Sequence, residues 1–291
     1  MIHVAKSYAT VPVGLTSQGA NKKKAQLMLE GNKHEADGDI YAHATVREAL
    51  NQLYGNKCAY CERLIEEQAD RRVDHYRPRK ARDQGGALHP GPFWLTYERP
   101  NLLLSCRTCN LKKSNLFPVS GTRVTAPPAL AKDWDPRSLP MQGEKPLLLN
   151  PEIDQPNDHL DFSPDGQIHP RNDSPRGTRT IEICGLNRDE LTIMRKKRID
   201  GFCKELQGQV AILAGQLAQG PLPPTREAFD AALELGFKQI VENIKTSELP
   251  AAPFSRVGQC INEKPDQFLL AAIPEGRPRE VVRKALERFL V

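Results

Sequence analysis

The first 40 residues, including GANKKKAQLMLEGNKHEADGD, mix polar and apolar positions without a dominant period. Such a stretch offers no continuous face to bury, so it is expected to serve as an arm, a partner-binding segment or a pair of loosely docked turns. The pattern changes at Ala42. In AHATVREALNQLY, Val46, Leu50, Leu53 and Tyr54 recur at helical spacing and predict an amphipathic helix. Further on, FWLTYERPNLLLSC reads as a short core segment, set off by the Gly/Pro-rich connector DQGGALHPGP. Residues 119–178 are rich in Pro, Gly, Asp and Asn, and PLLLNPEIDQPNDHL and DFSPDGQIHP predict short strands, with SPDG as a hairpin turn. Beyond Thr180 the helical period takes over. LNRDELTIMRKKRIDGFCKELQGQVAILAGQLAQG predicts a long helix broken near Gly201 or Gly208, PTREAFDAALELGFKQIVENI a second, and REVVRKALERFLV a last. The expected organisation is α+β: an arm or partner-binding segment over 1–41, a core over 42–118, an irregular connector over 119–178, and a helical domain over 179–291 suited to docking a partner.

Composition narrows the class. With 39% hydrophobic and 26% charged residues the chain has the balance of an ordinary globular protein, which excludes disorder throughout, and 24 prolines imply many loops. No apolar run approaches the roughly 20 residues of a membrane span, and the first residues lack a signal-peptide core, so a cytoplasmic location is expected. The formal net charge is +5. Between Tyr54 and Pro118 there are 12 Lys/Arg against 7 Asp/Glu, an excess equal to the whole net charge. A basic surface there suits a polyanionic partner such as nucleic acid, while a solvated charged face is the alternative that charge alone leaves open.

The seven cysteines divide into two sets. Cys184, Cys203 and Cys260 are scattered and read as small core residues. Cys58, Cys61, Cys106 and Cys109 form two C-x-x-C pairs separated by 44 residues. Two such turns complete the tetrahedral thiolate shell of a structural zinc ion, which would fasten the ends of the intervening segment together. Redox use is the rival for a single C-x-x-C, but neither pair follows an evident βαβ strand.

Inside that clamp lies RRVDHYRPR. Taken alone, His75 fits a core histidine and Asp74 a turn or cap. In context, Asp74-His75-x-x-Pro78 is followed by Asn101 and then by C-x-x-C-Asn110-x-x-Lys113, and this order resembles the HNH endonuclease motif in its zinc-clamped form. The resemblance implies a β-hairpin followed by a helix, the ββα-metal fold, which would precede the mainly α-helical C-terminal region that the hydrophobic period predicts. It also implies roles: His75 as general base, Asp74 and Asn110 as ligands of a catalytic divalent cation, and Asn101 holding the hairpin loop by backbone hydrogen bonds. An Asp/Asn oxygen pair with open water positions suits Mg or Mn. Lys113 is expected to contact a phosphate, and Arg77, Arg79, Lys80 and Lys112 to track the nucleic-acid backbone. His89 falls in the loose connector and reads as a bystander, Tyr76 and Trp94 as packing residues.

Further stretches, NKCAYCERLI, PLLLNPEIDQPNDHLDFSPDGQI and TIEICGLNRDELTIMRKKRI, resemble the nuclease subunit of Septu-type anti-phage defence systems, which also stands beside some retrons. This resemblance covers roughly residues 50–200 and implies a partner ATPase of the ABC/SMC-like type. The sequence itself contains no G-x-x-x-x-G-K-[ST] phosphate loop, so nucleotide binding would fall to another chain. The expected activity is metal-dependent hydrolysis of DNA, or of RNA. The alternative is a zinc-stabilised nucleic-acid-binding or scaffold subunit without cleavage.

Overall fold

The computed structural model describes residues 1–7, 9–83, 85–130, 134–219 and 226–289. Its contacts group into two compact units: Met1–Leu160 with His169–Leu186, and Asp161–Ile168 with Asn187–Val291. Among the described residues no helix is long and apolar enough to cross a membrane.

The first unit begins with three helices, α1 (Val13–Thr16), α2 (Gln18–Glu30) and α3 (Gly38–Tyr41). Each is short and anchored by few apolar residues, Leu15, Ala20 and Leu27 among them, which is why the sequence there shows little period. Residues 1–41 belong to this unit. Helix α4 (Ala44–Tyr54) follows, with Val46, Leu50 and Tyr54 on its buried face, and it ends where Gly55 takes the left-handed conformation (φ 56°) that a side chain disfavours.

Strand β1 (Arg71–His75) leads through the hairpin of β2 (Lys80–Arg82) and β3 (Leu88–Pro90) to strand β4 (Leu102–Cys106). β1 and β4 pair antiparallel, with Arg71 opposite Cys106 and His75 opposite Leu102. β4 is buried along its whole length and α4 packs against it. Helix α5 (Arg107–Lys113) starts directly from β4 and packs on both strands. Gly91, just after β3, has room for no side chain, because a Cβ would lie 2.0 Å from the Pro78 carbonyl oxygen. Beyond α5 come α6 (Leu139–Gly143), the two-stranded sheet of β5 (Leu160–Phe162) and β6 (Ile168–Pro170), and α7 (Pro175–Cys184). The SPDG turn between β5 and β6 carries Gly166 at φ 85°.

Apart from Asp161–Ile168, which carry strand residues of β5 and β6, the second unit is helical. Helix α8 (Asp189–Gln219) runs 31 residues without the break expected near Gly201 or Gly208. Each glycine costs a helix about 1 kcal/mol relative to alanine, which flanking helical turns and packing absorb. α9 (Arg226–Glu248) packs against α8, and α10 (Ser255–Glu263), α11 (Pro265–Phe268) and α12 (Arg277–Phe289) complete the unit, burying Phe237, Ile244, Val257, Ile261, Phe268 and Leu286. Gly220, Pro224, Thr225, Leu290 and Val291 of the expected helices lie outside the described residues.

A buried ionic contact ties the first residues to the sheet. The Lys6 side chain is fully enclosed and donates to the carbonyls of Arg99 (2.9 Å) and Leu102 (2.8 Å) and to Glu152 (3.0 Å), which also accepts from the Tyr54 hydroxyl (2.5 Å). Removing one member of such a set leaves buried charge and carbonyls without compensation, at a cost of about 3–5 kcal/mol. Lys6→Ala is expected to lose that much stability in urea denaturation; a change within about 0.5 kcal/mol, as for an exposed lysine, would contradict the packing.

Candidate active site and four-cysteine cluster

Cys58, Cys61, Cys106 and Cys109 are all buried, and their sulfurs lie within 4.8 Å of one another. Cys61 and Cys106 Sγ are 3.9 Å apart, far beyond a disulfide bond and close to the roughly 3.8 Å edge of a tetrahedron with Zn–S bonds of about 2.3 Å. Cys106 caps α5 and its Sγ accepts from the Cys109 amide (3.4 Å). Hydrogen bonds from Cys109, Cys58 and Cys61 drive the Cys106 thiol strongly toward thiolate. Burial pushes Cys58 up, and its bond to Cys106 pushes Cys109 up, so four thiolates require a cation among them. The set is positioned to hold a metal ion and fits structural zinc.

The strand between the cysteine pairs carries the candidate chemistry. His75 is half-buried, and its Nε2 lies 2.9 Å from the Thr96 carbonyl, which only accepts; Nε2 therefore bears the proton and Nδ1 keeps its lone pair. The Tyr41 ring leans on the imidazole at 4.6 Å between centroids. Burial lowers the His75 pKa, with the Thr96 bond opposing, so the ring is held toward its neutral form.

A groove of about 340 Å³ opens beside it, lined by Asp74, His75, Arg79, Lys80 and Asn110. Asp74 is buried, its Oδ2 accepting from the Tyr60 hydroxyl (2.6 Å) and its Oδ1 from Lys113 Nζ (3.1 Å). Each carboxylate oxygen thus has one protein partner and a further lone pair to offer. Asn101 is buried, its Oδ1 accepting from the Arg77 amide (2.8 Å) and its Nδ2 donating to the carbonyls of Arg77 (3.0 Å) and Leu95 (3.3 Å). It fixes the turn that follows β1.

Three cationic residues stand elsewhere than the sequence suggests. Arg77 is 1% exposed and donates to Glu144 (2.8 Å) and the Met141 carbonyl (2.9 Å), so it is a core ion pair and has no surface to offer a nucleic-acid backbone. Lys113 is fully buried and holds Asp74 and the His75 carbonyl (2.8 Å); its phosphate contact is replaced by an internal one. Lys112 is exposed but lies along Gly185, outside the groove. Arg79 and Lys80 do line it. His89 pairs with Asp83 (2.8 Å) away from the groove, and Trp94 and Tyr76 are core residues. Thr96, Tyr41 and Tyr60 carry no motif; only the tyrosine inside C-A-Y-C stands close enough in sequence to the cluster to have drawn notice.

The chain is 35% identical over 165 residues to a Septu protein PtuB of Bacillus mycoides, covering 55% of this chain and 52% of that protein. It is 31% identical over 156 residues to a Septu protein PtuA of the same strain, covering 53% of this chain and 20% of the relative. A Vibrio cholerae protein named "Retron Vc95 putative HNH endonuclease" is 23% identical over 206 residues, which cover 67% of this chain and 81% of that one. The chain therefore resembles the Septu and retron HNH proteins, and spans about half the length of that PtuB relative. No protein-family model matches it.

The buried Arg77–Glu144 pair separates fold from binding. Arg77→Ala is expected to cost about 3–5 kcal/mol in denaturant unfolding because Glu144 loses its partner, whereas Lys80→Ala, at the exposed rim, should leave stability within about 0.5 kcal/mol. An Arg77→Ala protein of unchanged stability would contradict the burial.

Proposed function

We propose that the protein is a metal-dependent HNH endonuclease, hydrolysing phosphodiester bonds with DNA as the expected substrate and RNA as the alternative. The single observation that supports it most is that His75, Asp74 and Asn110 line one groove, on a segment whose two ends are held by the four cysteines. Binding alone needs no imidazole with an open lone pair beside a carboxylate.

His75 acts as the general base. Its Nε2–H is committed to Thr96, its plane is set by Tyr41, and Nδ1 takes the proton of the water that attacks phosphorus. Asp74 and Asn110 would hold the divalent cation. Their fit rests on hard oxygen donors, on the unused lone pairs of Asp74, and on an Asn110 side chain with no hydrogen-bond partner among the described residues. When bound, Mg or Mn stabilises charge on the phosphoryl and leaving oxygens. Arg79 lines the groove and Lys80 adds charge at its rim, so the two offer cationic contacts to a phosphate backbone.

The Septu and retron relatives support a place in anti-phage defence. Its role there would be that of the nuclease effector of a complex, with the partner ATPase of the ABC/SMC-like type that the family resemblance implies. Restraint by a partner suits a nuclease whose generic histidine chemistry would otherwise attack the host's nucleic acid.

The reading is tested by incubating plasmid DNA, single-stranded DNA and total RNA with the purified protein, with and without the neighbouring ATPase, in Mg or Mn. Cleavage is expected to stop with EDTA and to fall about 10²–10⁴-fold in His75→Ala, the range for losing a general base. Absence of cleavage in every condition by folded, zinc-containing protein would favour a nucleic-acid-binding or scaffold subunit.

A further inference from the structure

The Asp74 carboxylate is held from two sides by groups that each belong to one half of the cysteine cluster. Tyr60 sits between Cys58 and Cys61 in the first C-x-x-C turn and is 0% exposed; its hydroxyl donates to Oδ2 at 2.6 Å. Lys113 ends the helix that Cys106 caps and Cys109 enters, is likewise 0% exposed, and donates to Oδ1 at 3.1 Å. A buried carboxylate with both oxygens bonded has one orientation, and its remaining lone pairs then have fixed directions. The two arms start from cysteines that the cluster brings within 4.8 Å of one another, so the cluster sets the separation of their roots.

We infer that Tyr60 is a positioning residue that couples the four-cysteine cluster to the groove, aiming the Asp74 carboxylate, with Lys113 as the second arm, so that it can bind a hard divalent cation. This rests on the reading of the groove as a cation site. Neither residue touches substrate. Among the described residues Asp74 is the hydrogen-bond partner of the Tyr60 hydroxyl, and Tyr60 stands inside the cysteine turn, so one side chain and one hydrogen bond join cluster and carboxylate. Outer partners of metal-binding carboxylates commonly contribute 10–100-fold to metal affinity or activity.

The test uses the full chain, with its partner if cleavage requires it, and three variants: Tyr60→Phe, Asp74→Ala and Lys113→Met. Zinc content is read by mass spectrometry, Mn²⁺ binding by electron paramagnetic resonance, and cleavage as kcat and KM. Tyr60→Phe is expected to keep its zinc, to bind Mn²⁺ about 10–100-fold more weakly and to lose kcat with KM for nucleic acid unchanged. A Tyr60→Phe protein that binds Mn²⁺ and cleaves like wild type, while Asp74→Ala does neither, overturns the coupling alone. An Asp74→Ala protein that binds Mn²⁺ like wild type overturns the cation site itself. A measurement on the wild-type protein needs no variant: the enclosed Tyr60 hydroxyl proton should give a slowly exchanging resonance that shifts on titration with Mg²⁺. A resonance indifferent to Mg²⁺ counts against the coupling.

Discussion

Four thiols that must share one small volume govern the first unit. Cys58 and Cys61 precede β1, and Cys106 and Cys109 stand at the junction of β4 and α5, so bringing their sulfurs within 4.8 Å closes a 44-residue segment on itself. Loop closure of that length costs entropy that two five-residue strands do little to repay. A metal ion at the cluster would supply that missing free energy, because its binding is folding free energy in sites of this kind. The β1–β4 register follows from the same closure, since Arg71 opposite Cys106 puts His75 opposite Leu102 at the far end of the ladder. The imidazole therefore stands one strand length from the cluster.

Polar groups buried between cluster and groove carry the arrangement further. Tyr60, Asp74 and Lys113 form one bonded set, Asn101 locks the Arg77 backbone, and Arg77 itself closes on Glu144. Each is too enclosed to be left without a partner, so each fixes a local geometry at some cost in desolvation. Rigidity of this kind suits general-base chemistry, where the imidazole, the cation and the phosphate must meet within a few tenths of an ångström. Among the described residues that line the groove, Asp74, His75 and Asn110 keep hydrogen-bonding or ligating capacity to spare, and these are suited to a ligand.

Spacing made the cysteine cluster legible in the sequence, because C-x-x-C turns present two sulfurs in one direction whatever surrounds them. The helix over α4 and the SPDG turn were equally legible from period and turn chemistry. Charge was a poorer guide. Arg77 and Lys113 read as surface cations since nothing local marks their partners: Glu144 lies 67 residues from Arg77, and Asp74 lies 39 from Lys113. The Thr96 carbonyl that orients His75 is a backbone atom and leaves no trace in residue type. Tyr41 comes from a stretch without period, and only the fold brings its ring to the imidazole. The uninterrupted α8 shows the converse, local glycine preference overridden along a 31-residue helix.

A thiolate metal site and the proposed oxygen-ligand cation site fall within one segment, and anomalous diffraction separates them by element. Crystals of His75→Ala, soaked in Mn²⁺, should give one peak at the zinc edge among Cys58, Cys61, Cys106 and Cys109, and a second, manganese peak against Asp74 and Asn110. A zinc peak with no manganese in the groove, at a concentration that saturates exposed carboxylates elsewhere, would contradict the hydrolytic reading while leaving the fold intact.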